Sequence, residues 1–148
     1  MSELPALPVT FRPNRTRAVL ITVGVALFAV LTVVALTLPS AGPGERVTFV
    51  FTGLCFLGVL LMLSRPHVTA DESGVTVVNL TTRRRLEWAE VLRVNLRQGD
   101  PWVSLDLADG TSLAAMGIQP GIARERAIAD AAALRALAEK HGTGETVR

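Results

Sequence analysis

The sequence contains few of the residues from which redox, metal and disulfide chemistry is built. Its one cysteine, Cys55, excludes a disulfide framework and a CxxC pair within the chain. Its two histidines, His67 and His141, lie far apart and have no second histidine or cysteine at metal-ligand spacing. We therefore expect the chain to bind neither a metal ion nor a cofactor.

Motifs for catalysis and nucleotide binding are also missing. Ser104 and Ser112 lie in predicted strands without a GxSxG elbow, and neither a GxGxxG nor a P-loop glycine pattern occurs. The acidic residues at 71–72 and around Asp109 fall at predicted turns, where carboxylates more often serve local hydrogen bonds than acid–base catalysis. We expect a protein that is not an enzyme.

A strong excess of one charge is absent from most of the chain. Residues 65–148 contain 11 Arg or Lys and 11 Asp or Glu, so this tail is neutral. The formal net charge of +2 comes from the first 17 residues, where three arginines outnumber Glu3. Nucleic-acid binding requires a basic face, which a neutral tail does not offer. We expect no nucleic-acid partner.

Apolar residues, in contrast, make up 49% of the chain and are concentrated in two runs. Residues 18–38, AVLITVGVALFAVLTVVALTL, carry no charge and would span about 31 Å as a helix, which matches the hydrocarbon core of a bilayer. Residues 47–63 would span about 26 Å, and the flanking Arg46 and Arg65 can extend their side chains to the interface. Each run is predicted to be a transmembrane helix, and neither contains the ionisable residues of a proton or ion pathway.

The segment between the runs, residues 39–46 (PSAGPGER), predicts a turn, so that the two helices form a transmembrane hairpin. Two alternatives stay open. Buried core helices can be this apolar, although the rest of the chain is too short to surround two of them. A cleavable signal peptide has an apolar region of roughly 7–15 residues, shorter than the first run, and a second span would still follow it.

The arginines that flank the runs predict the orientation of the hairpin. Four of them lie close to its two open ends: Arg12, Arg15, Arg17 and Arg65. The first three belong to a basic arm, residues 1–17, which would also bind anionic headgroups. Further arginines follow at 83–85, whereas the connecting loop carries only Arg46. The positive-inside rule therefore predicts a plasma-membrane protein with two spans and both termini in the cytoplasm.

After the second span, the apolar residues change to a period of two. Across residues 65–118, alternating stretches such as Leu92, Val94 and Leu96 are separated by turn sequences such as Asp109-Gly110. This pattern predicts an antiparallel meander with one apolar face.

Residues 120–141 are rich in Ala, Leu, Arg and Glu, which favours a helix. An apolar stripe is expected to cover the open face of the meander. Its residues recur at three-residue steps, with two alanines beside them: Ile128, Ala131, Leu134 and Leu137, flanked by Ala127 and Ala138. Binding of this helix to a membrane surface is an alternative, but its polar face carries both signs of charge and lacks large aromatic residues. Residues 142–148 are expected to be flexible. The expected fold is a two-helix transmembrane hairpin, then a small antiparallel β module with a C-terminal α-helix.

Several segments, in their order and spacing, resemble the bacterial pleckstrin-homology (PH) domains, in particular the family named for low-molecular-weight protein antigen 6. The matching segments are Arg65-Pro66 after the second span, residues 71–74 and 75–79, the basic turn, LEWAEV at residues 86–91, Trp102-Val103 and Asp109-Gly110. Members of that family typically carry two membrane spans before the module. The resemblance covers residues 16–118 and implies a membrane-anchored PH-like fold. The family has no established catalytic residues that could be assigned to positions of this sequence.

In a PH-like module, the turn between early strands is a candidate contact site. Here Arg83, Arg84 and Arg85 could meet anionic lipid headgroups or an acidic partner, because arginine makes bidentate contacts with phosphate and carboxylate. The alternative is that they are the solvated charges of a turn, partly neutralised by Glu87 and Glu90. Neighbours in a strand point to opposite faces, so at most two of the three can share a face.

The two tryptophans have different expected roles. Trp102 follows a Gly-Asp-Pro turn and is a second candidate for a partner contact, whereas Trp88 is in phase with Leu86 and is expected in the core.

The predicted function is a non-catalytic, membrane-anchored PH-like scaffold that binds a membrane or cytoplasmic protein. The alternative is an accessory subunit of a membrane transport or secretion complex that acts through its transmembrane hairpin. Oligomerisation is compatible with both.

Overall fold

The computed structural model describes residues 4–143. It contains two compact units, each described by itself: a helical hairpin of residues 14–65, and a β module made of the residues before 14 together with those after 65. Most of the predicted flexible tail, from residue 144 on, lies outside the described residues, as do the first three residues of the basic arm.

The hairpin consists of two long helices, α1 (Asn14–Thr37) and α2 (Pro43–Leu63). The second helix begins at Pro43, before the start of the apolar run. A proline is favourable in the first turn, where its missing N–H leaves no hydrogen bond unmade. The Glu45 carboxylate also accepts the backbone N–H of Gly42 at 2.8 Å, which caps the helix.

The two helices pack closely where glycines face their neighbours. A Cβ added to Gly24 would lie 3.1 Å from Leu57 Cδ1, and one added to Gly53 would lie 3.1 Å from Phe28 Cδ2. Elsewhere most apolar side chains are exposed or only half-buried. In the most apolar 18 residues of each helix, 11% of α1 and 6% of α2 is buried. Both helices are long and apolar enough to cross a membrane, and they are not the buried core helices of the first alternative.

The β module contains two antiparallel sheets and a helix, which confirms the expected fold class. The first sheet has four strands, in spatial order β1 (Val9–Phe11), β2 (His67–Ala70), β3 (Gly74–Val78) and β4 (Arg83–Glu87). The second has three, in the order β5 (Val91–Asn95), β6 (Val103–Leu107) and β7 (Ser112–Ala115). A 3₁₀ turn (Trp88–Glu90) joins the sheets, and α3 (Arg124–Ala138) with a π-helical turn (Glu139–Thr143) ends the described chain.

The turn between β2 and β3 is built on Asp71. Its Oδ1 accepts the backbone N–H of Ser73 at 2.9 Å and that of Gly74 at 3.0 Å, the local bonding typical of aspartate in turns. Glycine is required at position 74, because a Cβ there would lie 2.1 Å from the carbonyl oxygen of Leu86 on β4. At the second predicted turn Gly110 has a φ of 87°, which glycine adopts without strain.

The core of the β module lies between the sheets and α3. Its strand residues include Val75, Val77 and Leu86, each at most 1% exposed. From α3, five side chains are buried in it: Ala127, Ala131, Leu134, Leu137 and Ala138.

Two apolar residues expected in this core are instead exposed. Ile128 is 51% exposed, so the stripe predicted for α3 was wrong at this position: Ala127 occupies the buried place one turn before Ala131. Leu92 is 52% exposed, because the register of β5 against β6 shifts between Val91 and Arg93.

The first strand of the module comes from the N-terminal arm and was not predicted from the sequence. It pairs antiparallel with β2, with Val9 opposite Ala70 and Phe11 opposite Val68. Phe11 is 5% exposed and belongs to the core. The first sheet therefore combines residues that precede both helices with residues that follow them, so the hairpin is an insertion between β1 and β2.

Candidate binding surfaces

Among the three arginines of β4, Arg85 is engaged in a side-chain network. Its guanidinium donates to both carboxylate oxygens of Asp71, to one of them at 2.8 Å, and to Thr76 Oγ1 at 3.1 Å. The hydrogen bonds from Arg85, with those from Ser73, hold the pKa of Asp71 well below its ordinary value. Arg85 thus fastens the β2–β3 turn to β4, and this engagement competes with any contact to a headgroup.

Arg83 and Arg84 are exposed, and as neighbours in β4 they point to opposite faces of the sheet. Arg84 lies near Asp109. Its charge contributes, after the hydrogen bonds from Thr111, to the lowered pKa of the Asp109 carboxyl. The three arginines therefore do not converge on one point, and their contact with lipid or an acidic partner stays a prediction.

The tryptophans differ as expected in their burial. Trp88 is 3% exposed, donates from Nε1 to the carbonyl oxygen of Asp71 at 2.9 Å and stacks on His141 with ring centroids 5.6 Å apart. Trp102 lies just before β6 and is only partly buried. Its role as a partner contact stays a prediction.

The basic residues of the hairpin lie mainly at its open end. Arg15 and Arg17 are in the first turns of α1, just after Arg12, and Arg65 directly follows α2. At the connected end Arg46 lies in the first turn of α2, where its Nε donates to the carbonyl oxygen of Ala41 at 3.2 Å. The open end of the hairpin therefore carries more basic residues than the connected end, as the predicted orientation requires.

A further surface, which was not predicted from the sequence, runs along β5 and the loop that follows it, on the side that faces α3. We call it the β5–α3 groove, and it consists of two hollows. The first has a volume of about 210 Å³, and the residues lining it include Leu92, Arg93, Arg135 and Glu139. The second has a volume of about 250 Å³, and the residues lining it include Arg97, Asp100, Arg124 and Ile128.

Arg135 reaches from α3 to the backbone of β5. Its Nε and Nη2 donate to the carbonyl oxygen of Val94 at 3.2 and 2.9 Å. β5 is an edge strand of its sheet and is paired on its other side with β6. The guanidinium thus occupies a place where a further strand would donate an N–H to this edge.

Two other arginines of the groove lie near an acidic side chain of β6. Asp106 accepts hydrogen bonds from Ser112 Oγ and Asn95 Nδ2, each at 2.8 Å, and these bonds lower the pKa of its carboxyl. The nearby charges of Arg93 and Arg97 lower it further. Neither guanidinium has a hydrogen bond or an ion pair within residues 4–143.

Residues 4–143 contain no group of three or more His, Cys, Asp or Glu side chains placed to hold a metal ion. The absence of catalytic activity stays a prediction.

Comparison with known proteins identifies relatives of the module. Residues 65–137 match a family described as Bacterial PH domain, a match that runs from the start of β2 into α3 and leaves out β1. Curated relatives include uncharacterized proteins of Mycobacterium bovis and Mycobacterium tuberculosis, each 31% identical over 97 residues, which is 66% of this chain. The aligned region spans 62% of the length of these relatives. No solved structure matches the chain significantly.

Proposed function

This chain belongs to the bacterial PH-domain family through its residues 65–137, and from that premise we propose that it is a membrane-anchored, non-catalytic binding module. The hairpin of α1 and α2 spans the plasma membrane twice. The β module lies at the cytoplasmic face and holds a protein partner there.

The pairing of β1 with β2 is the observation that supports this proposal most. β1 precedes α1 and β2 follows α2, yet the two strands lie in one sheet. A single crossing of the membrane between them would separate them by a hydrocarbon core about 30 Å thick. The pairing is therefore compatible with two spans or with none, and the exposed apolar surface of both helices favours two.

The flanking charges support the cytoplasmic side. Arg15, Arg17 and Arg65 lie at the open end of the hairpin, whereas Arg46 at the connected end is accompanied by Glu45. Basic residues next to a span are retained on the cytoplasmic side, which would place β1 and the rest of the module there.

Labelling of single cysteines in intact cells tests the proposal. In a Cys55→Ala background, Ser40→Cys places a thiol in the loop between the helices, and Gln98→Cys places one in an exposed turn of the β module. We expect a membrane-impermeant maleimide to label position 40 in intact cells and position 98 only after lysis. Labelling at position 98 in intact cells, or recovery of the protein in the soluble fraction after a carbonate wash, would overturn the proposal.

A further inference from the structure

The β5–α3 groove is lined by two of the large apolar side chains that lie outside the core of the module. In the described part of the β module four large hydrophobic residues are exposed, and Leu92, Ile122 and Ile128 are three of them. Leu92 and Ile128 each line one hollow of the groove, whereas Ile122 lies two residues before α3 and lines neither. For most other apolar residues of the module, the pattern of the sequence correctly predicts burial. Functional surfaces are expected where such a prediction fails.

The shape of the groove fits an extended chain better than a compact ligand. The hollows, at about 210 and 250 Å³, are each smaller than the roughly 300–1,000 Å³ typical of a small-molecule site. They lie one after the other beside α3, between Arg124 and Glu139. That stretch of helix rises about 22 Å, which an extended segment of about seven residues would cover.

The charges of the groove favour an acidic occupant. Four arginines line it, against Asp100 and Glu139: Arg93, Arg97, Arg124 and Arg135. Asp100 accepts the backbone N–H of Arg97 at 2.8 Å, and Asp106 nearby is bonded to its own sheet. The guanidinium groups of Arg93, Arg97 and Arg124 have no hydrogen bond or ion pair within residues 4–143, so all three can meet carboxylates.

Resting on the proposed function, we propose that the β5–α3 groove binds an extended segment of a protein partner that carries acidic side chains around two apolar ones. The apolar side chains enter the hollows beside Leu92 and Ile128. The acidic ones meet Arg93, Arg97 and Arg124 along the rim. Where the segment runs beside β5, its backbone N–H replaces Arg135 on the carbonyl oxygen of Val94, which frees that guanidinium for a carboxylate.

The test measures peptide binding by the full chain in nanodiscs of neutral phosphatidylcholine. The probe is a fluorescent library of peptides of about nine residues, in which two leucines are surrounded by Asp and Glu. A matched library has Lys and Arg in place of the acidic residues. We expect binding of the acidic library only. The double variant Leu92→Ser with Ile128→Ser should bind it about tenfold more weakly or worse, because the two apolar contacts are lost.

A matched pair of charge reversals separates the groove from the arginines of β4. Arg93→Glu with Arg97→Glu should abolish binding, whereas Arg83→Glu with Arg84→Glu should leave it unchanged. All these side chains are exposed, and thermal unfolding followed by tryptophan fluorescence checks that each variant keeps its fold.

Equal binding of both libraries, no binding of either, or an unchanged affinity in the groove variants would each overturn the inference. The inference would also be overturned if the groove variants lost binding to anionic vesicles but kept peptide binding, since the groove would then be a lipid site. Cysteine labelling reports on which side of the membrane a residue lies and not on what the groove binds. If it gives the expected topology while the peptide assay fails, only this inference falls.

Discussion

Phe11 and Val68 lie opposite each other in the pairing of β1 with β2, although both apolar helices separate them in the chain. Both side chains are in the core, Phe11 at 5% exposure and Val68 at 0%. The family match begins at residue 65, so it includes Val68 but not Phe11. A complete β module therefore needs residues from before the hairpin.

The contribution of β1 can be measured in a chain that joins residues 4–13 to residues 66–148 through a flexible Gly/Ser linker. We expect this chain to be more stable than residues 65–148 alone. In it, Phe11→Ala should lower the free energy of unfolding by about 3 kcal/mol, the cost of removing a buried aromatic ring. Thr10→Ala, at an exposed position of the same strand, should change it by less than about 0.5 kcal/mol. Equal urea midpoints for the joined chain and for residues 65–148 would show that β1 adds nothing.

The arginines of β4 are expected to differ in their effect on stability. Arg85→Ser removes the bidentate bond to Asp71 and the bond to Thr76, so we expect it to lower the thermal midpoint of the joined chain. Arg83→Ser, at an exposed position on the same face, is the matched control and should leave the midpoint unchanged. The same loss in both variants would mean that β4 responds to charge in general and not to this pair.

The engagement of Asp71 also predicts how stability depends on pH. Since its pKa in the folded protein is lowered from the ordinary 3.8, the carboxylate contributes stability that is fully present above that value and is lost as the pH falls below it. We expect the wild type to exceed Asp71→Asn in urea midpoint at pH 7, and the difference to shrink steadily below about pH 4.

Asp130 provides a control of opposite sign for that measurement. Burial raises the pKa of its carboxyl, so ionisation opposes folding, and the wild type loses stability as the pH rises through the raised value. We expect Asp130→Asn to gain stability relative to the wild type toward pH 7. A difference that runs in the same direction for both variants would contradict the assignment.

Gly74, in the first sheet, should not tolerate a side chain. A Cβ at this position would meet the carbonyl oxygen of Leu86 at 2.1 Å, so Gly74→Ala must push β3 and β4 apart. We expect a loss of about 3 kcal/mol in the free energy of unfolding, the upper end of the usual cost of overpacking. Gly99→Ala is the control: apart from its neighbours in the chain, no residue comes within 4 Å of its added Cβ, and only its φ of 92° is unfavourable, at about 1 kcal/mol. A loss at Gly74 no larger than that at Gly99 would show that β3 and β4 accommodate the added Cβ.

The elements that could be predicted from the sequence are those with local signals. The two helices follow from long apolar runs, and the turns at Asp71 and Gly110 follow from residues whose side chain or backbone suits a turn. Trp88 was placed in the core because it continues the phase of Leu86.

The elements that escaped prediction depend on distant partners or on a break in the period. β1 has three residues, too few for a periodic pattern, and its partner lies beyond both helices. The register shift after Val91 turns Leu92 outward, although Leu92 continues the alternation of Val94 and Leu96. In α3 the buried face is made largely of alanines, and the larger Ile128 was assigned to the centre of that face, with Ala127 only beside it. The groove was missed for this reason, since its apolar residues looked like core residues in the sequence.

An exchange of the hairpin separates the proposed binding module from a subunit that acts through its membrane helices. In the exchanged protein, an unrelated two-span hairpin with the same flanking arginines replaces residues 18–63, so that β1 and β2 can still pair. If the β module holds the partner, the proteins cross-linked to the exchanged chain in its native membrane should be the same as for the wild type. If the helices make the specific contact, through apolar surfaces such as that around Val47 and Phe51, those cross-links should be lost while the module still folds. We expect the cross-links to be retained. The exposed arginines and apolar side chains of the β5–α3 groove belong to the part of the protein that is left unchanged.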